Sequence, residues 1–225
     1  MAIFIYFSFM QSHDLSFDFK ARYYTLGHLG PSTKSVWFVL HRYGQLAAYF
    51  MKKFGTLRDS NTYVIAPEGL SRFYVDPLQS TGRASDRVGA TWMTKENRLT
   101  DIENYLTYLN SLYHNLRLPD SVPVTILGFS QGAATVSRWV TGGKIAFDRM
   151  ILWSGIFPPD MDFDSAKETL RGKKIVLVHG TEDPFLNDSQ YQSMEMISTK
   201  LEIFPQVLTF KGGHEIDETT LKKLI

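Results

Sequence analysis

VPVTILGFSQGAATV, residues 122–136, contains a strand, a turn and the start of a helix in a single line. The apolar run 122–127 predicts a buried strand, and the small-residue stretch from Ala133 predicts that a helix covers 131–140. Between them Gly128-Phe129-Ser130-Gln131-Gly132 sets one serine between two glycines. Strand, sharp turn, helix is the context a nucleophile elbow requires. Such a turn forces the serine backbone into a strained conformation, so the residues two places to either side cannot carry bulk. The hydroxyl then stands exposed at the carboxyl edge of a sheet.

Working outward, buried strands alternate with helices. Strands are expected at 36–40, 63–66, 150–153, 175–178 and 207–210, and helices at 46–54, 99–116, 189–200 and 218–224. The helix at 99–116 carries an apolar stripe through Ile102, Leu106, Leu109 and Leu112. Residues 15–26 alternate apolar and polar side chains, the period of a half-buried antiparallel strand. Residues 69–95 have weak periodicity and fall between a strand end and the next helix. This order predicts an α/β fold: a mostly parallel central sheet with helices on both faces. In such sheets ligands bind outside the carboxyl ends of the strands. With no repeat, low-complexity tract or long linker, residues 1–225 are expected to form one domain, residues 1–9 being open to reading as an N-terminal extension.

Composition narrows the function classes. The chain has 24 basic and 23 acidic residues, a net charge of +1, and no basic run longer than two, so nucleic acid is not an expected partner. Cysteine is absent, which excludes disulfides, thiolate metal sites and a cysteine nucleophile. The apolar run 2–10 (AIFIYFSFM) is far short of the ~20 residues of a membrane helix. It also lacks the basic flank and A-x-A-like cleavage site of a signal peptide. Stable membrane insertion is not expected. A cytoplasmic location is, with export left open by that run.

Three expected strands end on polar residues. The run 122–127 leads to Ser130, 175–178 leads through His179-Gly180-Thr181-Glu182 to Asp183, and 207–210 leads through Lys211-Gly212-Gly213 to His214. Each type has a separate role in nucleophilic catalysis. A serine hydroxyl is a poor nucleophile until a base takes its proton. Histidine titrates near neutral pH, so it can take that proton and return it to a leaving group. A buried aspartate holds the imidazole in the right tautomer and stabilises its cation. Asp188 competes with Asp183 if the loop is differently shaped. His41 and His179 read as structural, and no H-x-H or H-E-x-x-H spacing supports a metal. Negative charge on a substrate oxygen needs N–H donors. Gln131, directly after the serine at a helix amino end, supplies one. The loop His41-Arg42-Tyr43-Gly44 supplies the other, assigned to the Tyr43 N–H.

LHRYG (40–44), GFSQGA (128–133), HGTEDPF (179–185) and GGHEI (212–216) together resemble the α/β-hydrolase superfamily. More narrowly, they resemble the small carboxylesterase and phospholipase family that includes acyl-protein thioesterases. The resemblance implies an α/β-hydrolase without a large lid domain, a triad of Ser130, Asp183 and His214, and oxyanion donors at Tyr43 and Gln131. No cofactor is implied, a small-molecule ester substrate is expected, and near-neutral charge in one compact domain permits a monomer or a homodimer equally. Phe73, Trp92 and Met93 are expected to line a substrate pocket. One departure stands out: the family has glycine where this chain has Arg42, and arginine would be strained if that position needs positive φ. The expected activity is hydrolysis of carboxylic esters, thioesters among them, through an acyl-enzyme on Ser130. A peptidase or amidase using the same triad, and a non-catalytic hydrolase-fold binding or receptor module, are the alternatives.

Overall fold

A computed structural model describes residues 10–75, 87–142 and 144–225. Its centre is a seven-stranded sheet in the order β1-β3-β2-β6-β7-β8-β9. The strands are β1 (Tyr23–Leu26), β2 (Ser35–Leu40), β3 (Thr62–Pro67), β6 (Val124–Phe129), β7 (Arg149–Trp153), β8 (Lys174–Gly180) and β9 (Gln206–Phe210). β1 is antiparallel to β3, and every other pairing is parallel. A separate antiparallel hairpin, β4 (Ser71–Tyr74) and β5 (Val88–Thr91), occupies part of the 69–95 stretch that shows no clear period in sequence.

Side chains on β2 show how one strand supports two cores. Val36, Phe38 and Leu40 point into the larger cluster with Trp139, Tyr105 and Phe157, while Trp37 and Val39 point into a second with Phe50, Phe54 and Trp153. Both faces are therefore buried, as an uninterrupted apolar strand demands. The first cluster is covered by α2 (Arg98–Asn115), α3 (Gln131–Thr141), α4 (Phe163–Leu170) and α5 (Asp188–Lys200). α1 (Ala47–Met51), the 3₁₀ segment Lys52–Ser60 and α6 (Glu218–Lys222) cover the second.

Two expectations need correction. The strand expected at 15–26 is only Tyr23–Leu26 long. Its partner β3 runs out where Tyr23 meets Pro67, and only one further contact follows, Glu68 N–H to the Arg22 carbonyl at 3.0 Å. Beyond it Leu15, Phe17 and Phe19 lie exposed. The expected strand at 122–127 is shifted two residues forward to Val124–Phe129, because pairing with β2 begins only at Val36 and Val124. That shift brings the strand directly to Ser130. Residues 1–9, with all but the last residue of the apolar run 2–10, and residues 76–86 and 143 lie outside the described residues. Among those described, no helix is long and apolar enough to cross a membrane.

Candidate active site

Ser130 is the N-cap of α3, at φ 56 and ψ −116. A residue with a Cβ held there stores of order 1–3 kcal/mol of strain. The surroundings enforce it. The Ser130 N–H donates to the Trp153 carbonyl at 2.8 Å, and its own carbonyl accepts from Ala133 at 2.9 Å. A Cβ at Gly128 would stand 2.2 Å from the Gly132 carbonyl oxygen, and one at Gly132 would stand 2.3 Å from that of Leu40. The two glycines are thus required by close approach.

Asp183 and His214 meet across the ends of β8 and β9. His214 Nδ1 lies 2.9 Å from Asp183 Oδ2 and 3.1 Å from Oδ1. The carboxylate is fully buried, while the imidazole is 9% exposed. Backbone bonds fasten the two loops together: Thr181 N–H to Phe210 O at 2.8 Å and Glu182 N–H to Gly212 O at 2.9 Å. Glu182 itself is exposed, and the side chain of Asp188 lies outside the described residues. Burial pushes the Asp183 carboxyl up, but the Phe185 N–H, His214 and the Ser154 hydroxyl outweigh it and hold the pKa below the usual range.

The His214 ring sits between two phenylalanines, 4.9 Å from Phe129 and 4.8 Å from Phe185, centroid to centroid. Phe129 immediately precedes Ser130, so this contact brings the imidazole against the residue that leads into the elbow. Neither Ser130 Oγ nor His214 Nε2 has a hydrogen-bond partner among the described residues. Such bonds commonly tighten only once substrate is bound.

On the other flank of Ser130, the side chains of Gln131, Trp92 and His41 are all engaged. Gln131 Oε1 accepts from Thr91 Oγ1 at 3.0 Å and from the Trp92 N–H at 3.1 Å, while Nε2 donates to the Met93 carbonyl at 2.9 Å. Trp92 Nε1 donates to the His41 carbonyl at 2.9 Å, and the two rings stack at 5.0 Å. His41 donates from Nδ1 to the Arg42 carbonyl at 2.8 Å and accepts at Nε2 from the Gly69 N–H at 2.9 Å. With both nitrogens engaged and the ring buried, desolvation pulls its pKa down to about 4. The imidazole is a neutral strut.

These bonds position the expected oxyanion loop. Gly44 N–H is tied to the Ala90 carbonyl at 2.9 Å, whereas the Tyr43 N–H has no acceptor among the described residues. Positive φ in this loop falls at Gly44, φ 70, and not at Arg42, so the arginine carries no backbone strain. Of the expected pocket residues, Trp92 is 2% exposed, and its indole braces the loop from below. Phe73 is half-buried with its ring 5.1 Å from that of Tyr43, and Met93 is half-buried beside Arg138.

Sequence reading passed over the Gln131 side chain as a brace, and Ser154 altogether. The available signal for Ser154 was a Ser-Gly pair directly after a central strand, at the same sheet edge as the other three.

No sequence among the curated proteins matches this chain. Its fold does match solved structures. Acyl-protein thioesterase 2 of Zea mays aligns over 91% of this chain and 96% of its own at 15% identity and a TM-score of 0.67. Esterase PE8 aligns over 92% and 100% at 20% identity and 0.64, and the Bacillus cereus carboxylesterase over 91% of both at 12% identity and 0.62. These likenesses establish the α/β-hydrolase fold. Residues 32–222 match the family model described as Serine hydrolase (FSH1), a span from before β2 to the last turn of α6 that includes Ser130, Asp183 and His214. The chain belongs to the FSH1 serine hydrolase family.

Proposed function

We propose that this serine hydrolase cleaves carboxylic esters, thioesters among them, by way of an acyl-enzyme on Ser130. The observation that carries the reading is the Asp183–His214 pair, 2.9 Å apart and packed through Phe129 against the strained serine. His214 Nε2 takes the Ser130 proton as Oγ attacks the substrate carbonyl. The leaving alcohol or thiol then departs with that proton. Water enters, gives a proton to the same nitrogen, and attacks the acyl carbon; the ester bond to Oγ breaks, and the proton returns to Ser130. Asp183 keeps Nδ1 protonated and stabilises the transient imidazolium.

The carbonyl oxygen gathers negative charge at each tetrahedral stage. Two backbone donors support it: Gln131 N–H at the first turn of α3, where helical N–H groups have no intrahelical partner, and the Tyr43 N–H, which has no acceptor among the described residues. The acyl-protein thioesterase and carboxylesterase neighbours favour an acyl ester or thioester over a peptide. A fluorophosphonate probe followed by peptide mass spectrometry tests the mechanism, with the adduct expected on Ser130. A panel of p-nitrophenyl esters and matched acyl thioesters from acetyl to decanoyl tests the substrate class. Labelling at another residue, or turnover of amides but not esters, would reject the proposal.

A further inference from the structure

The tripeptide Trp153-Ser154-Gly155, at the end of β7, is bonded to Ser130, to the residue after His214 and to the strand that delivers Asp183. The Trp153 carbonyl holds the Ser130 N–H at 2.8 Å. Its indole Nε1 donates to the carbonyl of Glu215, the residue after His214, also at 2.8 Å. A Cβ at Gly155 would lie 2.7 Å from the Ser130 carbonyl oxygen and 2.5 Å from the Ala133 Cβ, so its backbone packs directly on the elbow.

Ser154 stands between these two contacts. Its N–H donates at 2.7 Å to Val178 on β8, the strand that delivers Asp183. Its backbone lies at φ 47, a conformation disfavoured for any residue with a Cβ and open to glycine. Serine therefore occupies a position where glycine would fit more easily, and its hydroxyl is buried without a hydrogen bond of full geometry. The carboxylate it does influence is that of Asp183.

Asp183 has room for such a donor. Oδ1 accepts from the Phe185 N–H at 3.0 Å, and His214 Nδ1 approaches both oxygens. An ionised carboxylate offers about four acceptor sites, and this one has no exposed surface through which water could fill the remainder. The titratable groups facing it are His214, from the loop before α6, and His179 on β8.

We propose that Ser154 is a positioning residue, whose hydroxyl turns onto the Asp183 carboxylate and fixes its orientation while His214 carries the proton. The inference rests on the triad proposed above. It sets Ser154 apart from residues that only fill space, since the hydroxyl acts on the reaction through Asp183 and His214.

Two full-length variants separate the hydroxyl from the backbone. Ser154→Ala keeps the Cβ, and Ser154→Gly also relieves the positive φ. With p-nitrophenyl butyrate, both are expected to lose about ten-fold in kcat with KM changed less than about two-fold. Losing a donor makes the carboxylate more basic and the imidazolium better stabilised. The acid limb of kcat/KM is therefore expected to move up by about half a pH unit in both. Ser154→Gly should melt no lower than wild type while being as slow as the alanine variant. Wild-type kcat in the glycine variant, or acid limbs that stay in place in both, overturns the role of Ser154. Ser130→Ala is the control. If it retains turnover, the triad fails and this inference with it. If it is inactive while both Ser154 variants match wild type, only the inference fails.

Discussion

The two flanks of Ser130 are built on opposite terms. On the side of the 40–44 loop, both nitrogens of His41, both N–H groups of Trp92 and both polar atoms of the Gln131 side chain are engaged. On the side of Asp183, three polar atoms stand open among the described residues: Ser130 Oγ, His214 Nε2 and Ser154 Oγ. Buried polar groups are ordinarily satisfied, and the exceptions call for a reason. Under the mechanism proposed above, the bonded flank is a frame that aims backbone donors, and the open flank holds the groups the proton transfers need. His41 and Asp183 are both buried, yet of the two only Asp183 shares its partners with an open atom.

The contrast breaks most decisively at Ser130. Replacement by alanine is expected to lower ester turnover by about 10⁶, with the melting temperature little changed, because no hydrogen bond to Oγ is lost. A steady-state assay with active-site titration checks it. Residual turnover within ten-fold of wild type would place the chemistry elsewhere.

On the frame side the expected effect is on stability, and it depends on pH. His41 titrates near 4 in the folded protein against 6.5 for an ordinary histidine. Between those values the unfolded chain binds a proton that the folded protein refuses, so folding stability falls as the pH drops from 6.5 to 4. The loss from this residue is about 3 kcal/mol. His41→Gln is expected to be less stable than wild type at pH 7, with the gap closing by that amount at pH 4. Urea midpoints across the range measure it; a constant gap would mean that the imidazole is not held neutral. Trp92→Phe removes the donor to the His41 carbonyl while keeping most of the ring stack, and about 1–3 kcal/mol is expected to be lost. A lower urea midpoint with an unchanged slope would carry that reading. An unchanged midpoint would show that the carbonyl has found another donor.

How much of this was legible in the sequence follows the same division. The proposed triad can be pointed to from sequence, because Ser130, Asp183 and His214 each follow an apolar run by a few residues, with a glycine within three residues of each. The frame cannot. The sequence points to Gln131 for its N–H alone and to Trp92 as a pocket residue, with no sign of their bracing bonds. Their actual partners, Thr91, Met93 and His41, belong to segments that meet only after the sheet has formed. The fold was readable from strands buried on both faces, such as β2 and β6. The hairpin β4–β5 was not, since the half-buried Phe73 and the exposed Arg72 and Tyr74 leave little period to detect. The alternation of 15–26 misled for a complementary reason: it describes what a strand would bury, and β3 offers a partner for only four of those residues.

Arg42 tests the boundary between the two flanks, with the smallest effect. From sequence, Arg42 predicts a strained oxyanion loop if its position needs positive φ. The backbone assigns positive φ to Gly44 instead, so Arg42→Gly relieves nothing. The substitution adds the conformational freedom of glycine to the unfolded chain and is expected to reduce stability by about 0.5–1 kcal/mol. The kcat on a neutral ester is expected to stay within about two-fold, because the Gly44-to-Ala90 bond and the His41 contacts that shape the loop are backbone and imidazole bonds that do not involve the guanidinium. A ten-fold rise in kcat would instead mean that the side chain obstructs the path to the Tyr43 N–H. The flank of the 40–44 loop would then be gating the reaction as well as framing it.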